Sequence, residues 1–198
     1  MQLIGMLDSP FVRRVAITLD LLDVPFEHKA LSVFRNFEEF AAINPAVKAP
    51  TFVLDDGSIL MDSTLIIDYA EALAGRSLLP AAPPARAQAL RAIGPALAAC
   101  EKTAQIVYEH QLRPSEKRHQ PWLDRVQEQL FAALRRLEAE ADAFDIAALG
   151  QAAITAAVTW SFVQLMVPQV VPVTAFPRLA AWAARAEALP VFRRYPID

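Results

Sequence analysis

Thr51-Phe-Val-Leu54, Asp55-Asp56-Gly57, Ser58-Ile-Leu-Met61 and then Asp62-Ser63-Thr-Leu-Ile-Ile-Asp-Tyr69 decide how the first part of this chain folds. Two short apolar runs flank an Asp-Gly turn, a strong signal for a β-hairpin. Ser63 suits the cap of the helix that follows, which carries Leu65, Ile66, Tyr69 and Leu73 and stops before Gly75. Working back from the hairpin, residues 37–43 read as a short helix ended by Asn44-Pro45, and residues 26–31 as a strand begun after Pro25. Ser9-Pro10 opens an earlier helix, since serine is a favoured cap and proline fits the first helical position. Val12, Val15, Ala16, Leu19 and Leu22 recur there at helical spacing, with Arg13, Arg14, Asp20 and Asp23 expected mostly on other faces. Residues 2–6 make the first strand. The order is βαβ, then α, then ββα. The first unit requires a right-handed crossover between parallel strands, and the hairpin adds an antiparallel pair.

Composition changes after this segment. Residues 1–75 contain 9 alanines and residues 76–198 contain 28, so the second part reads as all-helical. Residues 76–84, Arg-Ser-Leu-Leu-Pro-Ala-Ala-Pro-Pro, form a proline-rich linker. Helices are expected over 85–111, 121–142, about 151–167 and 177–188, followed by Pro190-Val-Phe192.

The 198 residues are 55% hydrophobic, enough to bury a core and exclude disorder. Nineteen basic and 22 acidic residues give a formal charge of −3, which argues against a nucleic-acid platform. The single cysteine, Cys100, excludes an internal disulfide and a cysteine zinc site, and it reads as a small buried residue. His28, His110 and His119 are scattered and lack metal-ligand spacing, so no metal is expected. The 32 residues from 146 to 177 carry no charge. Gly150, Pro168 and Pro172 interrupt them, and the longest helix they allow is short for a membrane span. A buried helix is expected instead, with residues 152–167 the least exposed helix of the chain. The first ten residues do not have the pattern of a signal peptide.

Ser9-Pro-Phe-Val-Arg-Arg-Val15, Asn44-Pro45, Lys48-Ala-Pro-Thr-Phe-Val-Leu54, the Asp55–Gly57 turn, Asp62-Ser63 and the ending Pro177-Arg-Leu-Ala-Ala-Trp182 with Pro190-Val-Phe192 occur in one ordered set. That set resembles the soluble, cytosolic-type glutathione transferase family over nearly the whole chain. The Ser-Pro-Phe start looks most like the serine-type classes, such as tau-like and related bacterial members. The resemblance implies a thioredoxin-like glutathione-binding domain over 1–75, a linker over 76–84 and an all-helical domain over 85–198. It also implies a cytoplasmic homodimer that uses glutathione as co-substrate and a small, apolar electrophile as its partner in detoxification, with no nucleic acid and no membrane.

The residues can be assigned in chemical terms. A helix N-terminus binds anions through its unpaired N–H groups and its dipole. Ser63 would offer such a start to the glutamyl carboxylate, and Asp62 would pair with the glutamyl ammonium; the alternative is an ordinary cap with an acidic neighbour. The resemblance implies that Ala49-Pro50 is a cis step whose Ala49 backbone pairs with the cysteinyl part of glutathione. It places Phe11 in the same site, and Lys48 and Arg35 near the glycine carboxylate. Arg35 depends on the length of the loop around Phe34-Arg-Asn36, and a solvated surface charge is the alternative there. Ser9 is the candidate catalytic residue. A free thiol has a pKa near 8.5, and lowering it by ~2 units takes about 2.7 kcal/mol. A serine O–H donated to sulfur, with the helix dipole behind it, supplies part of this. Ser9 as only a cap is the alternative. Tyr108, then Val107, Leu112 and Trp160, are the candidates for an electrophile pocket between the domains, with core packing the alternative for each. One departure from the family pattern is Gly150-Gln-Ala-Ala153, where relatives carry a Ser/Thr-x-x-Asp capping box. The same site would also serve a glutathione-dependent lyase, isomerase or dehalogenase. A non-catalytic binding or regulatory protein of this fold is the other alternative.

Overall fold

The structure is a computed structural model that describes residues 1–197. It divides into two compact units. The first comprises Met1–Leu78 and the described residues from Ala188 onward; the second is Leu79–Glu187. The described residues from Ala188 onward pack with the first unit and not with the helical one.

The first unit contains β1 (Gln2–Ile4), α1 (Pro10–Leu21), β2 (Glu27–Lys29), α2 (Phe37–Ile43), β3 (Thr51–Val53), β4 (Ile59–Met61) and α3 (Ser63–Ala74). The sheet order is β2-β1-β3-β4, with β1 parallel to β2 and antiparallel to β3, and β3 antiparallel to β4. Each strand is only three residues long, shorter than the sequence suggests. Alternation along the strands sends Leu3 and its cross-strand partner Phe52 to one face, where they pack with Val12, Val15, Ala16, Leu19, Ile66 and Ala70 of α1 and α3. Ile4 points the other way, into a cluster with Leu31 and Phe40 of the α2 side. The hairpin closes through the Leu54 N–H to Ser58 O, at 2.9 Å, around Gly57 at φ 82°.

Helix α1 departs from expectation. The helical spacing puts Arg13 and Arg14 mostly on faces other than the apolar one, yet both are buried, and no residue of the helix is exposed. The cause lies far away in sequence. The final segment forms α8 (Pro190–Arg194) and lies along α1. Arg13 Nε donates to Tyr195 O at 2.7 Å, and its guanidinium sits over the Phe192 ring. Arg194 pairs with Asp20, which raises the Arg194 pKa. Tyr195 stacks on Phe26, and burial pushes its phenol pKa up.

The second unit contains α4 (Pro83–Gln111), α5 (Gln120–Glu140), α6 (Gln151–Met166) and α7 (Pro177–Glu187). Helix α6 is apolar all round and buried for most of its length, between α4 and α7. Leu165 is nevertheless exposed, so α6 is not the least exposed helix; α1 is, because the sheet, α3 and α8 all cover it. Gly150 caps α6 without a side-chain hydrogen bond, as the missing box implied. Cys100 is buried in α4, with its Sγ 3.2 Å from Thr159 Oγ1. No helix among the described residues is long and apolar enough to cross a membrane. A thioredoxin-like unit joined to a helical unit is thus the architecture.

Candidate functional site

One corner of the first unit gathers most of the predicted residues. It forms where β1 ends, α1 and α3 begin, and the α2–β3 loop crosses. Ser9 is the cap of α1, its Oγ accepting from the Val12 N–H at 3.4 Å. Accepting uses a lone pair and leaves the O–H to donate elsewhere. Gly5, at φ +140°, brings the end of β1 against this turn. A Cβ at Gly5 would lie 2.5 Å from Val12 Cγ2 and 3.2 Å from the Ala49 Cβ. The start of α1 and Ala49 are therefore immediate neighbours across a glycine. Phe11 sits in the same first turn, partly buried.

The Ala49-Pro50 bond is cis. The loop that carries it is held from behind by Asn44 and Thr51, both buried. Asn44 Nδ2 donates to Thr51 Oγ1 at 2.8 Å, and Thr51 Oγ1 donates to Lys48 O at 2.7 Å. Asn44 Oδ1 accepts from the Ala46 N–H at 3.0 Å. Val47 takes φ 47°, an unfavourable value for a β-branched residue. Such strain costs on the order of 1–3 kcal/mol and persists only where the surroundings fix it. Asn44→Ala strips the bracket of its donor and acceptor. Leaving buried polar groups unpaired costs about 1–3 kcal/mol, so calorimetry should record a Tm lower by roughly 5 °C; an unchanged Tm would mean the bracket holds nothing.

At the head of α3 the structure corrects one expectation. Asp62, not Ser63, is the cap, at φ 76°, with Oδ1 accepting from the Thr64 N–H at 2.9 Å. Ser63 is the first helical residue. It is 3% exposed, and its Oγ accepts from Arg14 Nη1 at 3.3 Å. Lys48 Nζ lies 3.5 Å from Asp62 Oδ2. Both side chains are about half exposed, so the pair contributes ~0–1 kcal/mol and separates at little cost. The corner thus offers an exposed cation, an exposed carboxylate, a helix N-terminus and a serine O–H, with a backbone edge at Ala49 between them. That set suits a zwitterionic peptide with a second carboxylate.

Other predicted residues stand apart. Arg35 is exposed in a turn closed by Ser32, and no hydrogen bond or ion pair joins it to Lys48, Asp62 or Ser63 among the described residues. Tyr108 is 45% exposed on α4, Val107 is partly buried, and Leu112 is exposed just past the helix end. Trp160 is 5% exposed and packs edge-on against Phe176, so it belongs to the helical core. His28 Nε2 meets Gly5 O at 2.8 Å, a structural contact. No group of three His, Cys, Asp or Glu side chains is placed to hold a metal among the described residues. A cavity of about 540 Å³ opens at Leu22, Val24, Leu54, Tyr69 and Leu73, and none of the candidate residues lines it. Sequence reasoning missed Arg14, Asn44 and Thr51. All three lie in the family-like stretches 9–15, 44–45 and 48–54, but nothing in those stretches singles them out.

Residues 3–78, within the first unit, match the family model of the glutathione S-transferase N-terminal domain. The chain is similar to a crystal structure of a glutathione transferase family member from Pseudomonas fluorescens Pf-5 with bound glutathione. The TM-score is 0.87 and the identity 28%, covering 100% of this chain and 98% of that one. It is 31% identical over 90 residues to glutathione S-transferase U4 of Arabidopsis thaliana, covering 45% of this chain and 40% of that protein. It is 40% identical over 60 residues to a probable maleylacetoacetate isomerase of Caenorhabditis elegans, covering 29% of this chain and 28% of the relative. The aligned segments thus span less than half the length of both curated relatives. The family model covers the first unit, and the structural likeness extends over the whole chain.

Proposed function

We propose that the protein is a serine-type glutathione transferase, resembling tau-like and bacterial members, which activates the glutathione thiol for attack on a small apolar electrophile. The observation that carries this is the convergence of Ser9, the cis Ala49-Pro50 step, Lys48 and Asp62-Ser63 on one corner of the thioredoxin-like unit. In this reading Ala49 pairs with the cysteinyl backbone, which brings the sulfur to the start of α1. Ser9 donates its O–H to the developing thiolate. The α3 N-terminus and Ser63 take the glutamyl carboxylate, and Asp62 takes the ammonium. Lys48, released from Asp62, faces the glycine carboxylate, with Arg35 and Phe11 as further contacts. Tyr108, Val107 and Leu112 remain the proposed electrophile contacts. The proposal includes a cytoplasmic homodimer acting in detoxification. An isomerase or related glutathione-dependent reaction is a second reading, favoured by the probable maleylacetoacetate isomerase among the relatives.

The first test is a thermal-shift titration. A ligand that binds only the folded state stabilises it by RT ln(1 + [L]/Kd), about 2.7 kcal/mol at a hundredfold excess over Kd. At 2–4 °C per kcal/mol this is roughly 5–10 °C. A flat Tm up to millimolar glutathione would remove the reading. Turnover of a chloronitroaromatic substrate, set beside isomerisation of a maleyl-type substrate, separates transferase from isomerase.

A further inference from the structure

The backbone that carries Ser9 is held from the neighbouring strand. β2 is an edge strand of the sheet, and its parallel register sets His28 beside Leu3 of β1. The pairing continues one step beyond β1, where the Gly5 N–H donates to Lys29 O at 3.1 Å. There the chain leaves the ladder, because Gly5 takes φ +140°. Glycine at such a value has no side chain to fix it and is the most freely rotating of residues. His28 supplies a hold, with Nε2 2.8 Å from Gly5 O. A carbonyl only accepts, so the ring nitrogen is the donor; Nε2–H is present in the imidazolium and in one of the two neutral tautomers. The ring is partly buried, and this is its one hydrogen bond among the described residues.

The hold passes to Ser9 in two short steps. A peptide unit is planar, so fixing the Gly5 carbonyl fixes the Met6 N–H with it. The Ser9 N–H then donates to Met6 O at 3.2 Å, which closes the turn between β1 and α1. The side chain of Ser9 adds little of its own. Its contact from the Val12 N–H, at 3.4 Å, is long for a hydrogen bond, so the backbone does most to place the hydroxyl. Placement matters, since a misplacement of about 1 Å can cost on the order of 10²-fold in rate. We propose that His28 is a positioning residue for Ser9: donating from β2 into the Gly5 carbonyl, it fixes the turn that aims the Ser9 O–H at the ligand's sulfur. This rests on the glutathione reading above and assigns part of the thiol activation to a side chain outside the site.

The test follows the thiol of bound glutathione, and turnover of a chloronitroaromatic substrate at saturating glutathione, in the full chain. From a bound thiol held ~2 units below a free one, His28→Leu should raise the pKa by about one unit, read from the thiolate absorbance. Turnover should then fall about eightfold near pH 6 and less than twofold near pH 8.5, where the thiol ionises unaided. The glutathione Kd near pH 6 should stay within about twofold. A merely structural role would lower turnover equally at both pH values. His28→Gln places an amide N–H at about the reach of Nε2 and should recover most of the loss, whereas the shorter His28→Asn should recover little. His28→Leu should add less than about twofold to Ser9→Ala, because it acts through Ser9. Equal losses at both pH values, no recovery in His28→Gln, or losses that multiply in the double variant would overturn the role of His28. If wild type binds no glutathione, or its bound thiol titrates like a free one, the glutathione reading itself falls and this proposal with it. Should His28→Leu not fold, ¹⁵N-histidine spectra of the wild type decide, with the His28 signal identified as the one missing in His28→Gln. The neutral ring should be the Nε2–H tautomer; the Nδ1–H tautomer counts against the proposal.

Discussion

Ser9→Ala should lower kcat/KM for a chloronitroaromatic substrate by about 10²-fold, with little change in glutathione affinity. The size follows from the task. Holding the glutathione thiolate ~2 pKa units below a free thiol takes about 2.7 kcal/mol. Removing one aimed donor from such a site costs about 10²–10³ in rate. The helix dipole at Pro10 survives the substitution, so the lower end of that range is expected. Ser9 has a second duty that must be separated from this one. Its Oγ caps α1 through the 3.4 Å bond from Val12, and losing a serine cap to alanine costs about 1 kcal/mol, or 2–4 °C. Glycine caps nearly as well as serine. Ser9→Gly should therefore restore most of the Tm and none of the rate, whereas Ser9→Thr, which keeps the hydroxyl, should restore part of both. The thiolate absorbance of bound glutathione near 240 nm gives a direct readout, with its pKa rising toward the free value in the alanine and glycine variants. Unchanged turnover in Ser9→Ala would leave Ser9 as a cap and nothing more.

What could be read from the sequence divides along a physical line. The hairpin, the start of α1 and the buried α6 are local matters. Asp-Gly sets the turn, Ser-Pro sets the helix start, and a long uncharged run has only the interior to go to. The candidate site was legible for the same reason, since Lys48, Ala49-Pro50 and Asp62-Ser63 fall in one short interval. The burial of Arg13 and Arg14 is not legible in α1 itself, because a helical pattern ranks residues by polarity and carries no sign of partners that arrive from elsewhere. Tyr195 and Phe192 reach Arg13 from the far end of the chain, and Ser63 reaches Arg14 from another helix. Serine and aspartate compete on nearly equal terms for a cap, so Asp62-Ser63 leaves open which of the two holds the position. Asp62 holds it, at φ 76°, with its side chain accepting from the Thr64 N–H. The tail's return to the first unit is likewise a long-range matter, because α8 packs against α1.

Gly5→Ala should be the most destabilising single-methyl change in the first unit, and it should damage the site as well. Two independent costs coincide. The residue sits at φ +140°, where side-chain-bearing residues pay about 1–3 kcal/mol in backbone strain. The new methyl would also lie 2.5 Å from Val12 Cγ2, so something must move. Overpacking of this kind adds typically 1–3 kcal/mol. Together they reach about 2–6 kcal/mol, a Tm drop on the order of 10 °C. Val12 is fixed by the helix it belongs to, whereas Ala49, 3.2 Å away on the other side, belongs to a loop. The displacement should therefore pass into the Lys48–Pro50 segment and weaken glutathione binding about tenfold. A second substitution separates the two costs. Val12→Ala removes the group that is struck, so Gly5→Ala with Val12→Ala should regain part of the binding, although Val12→Ala alone loses buried surface. The backbone cost has no such remedy, and the double variant should remain less stable than Val12→Ala alone. If Gly5→Ala binds glutathione as tightly as wild type, the close approach of β1, Val12 and Ala49 does not set the geometry of the site.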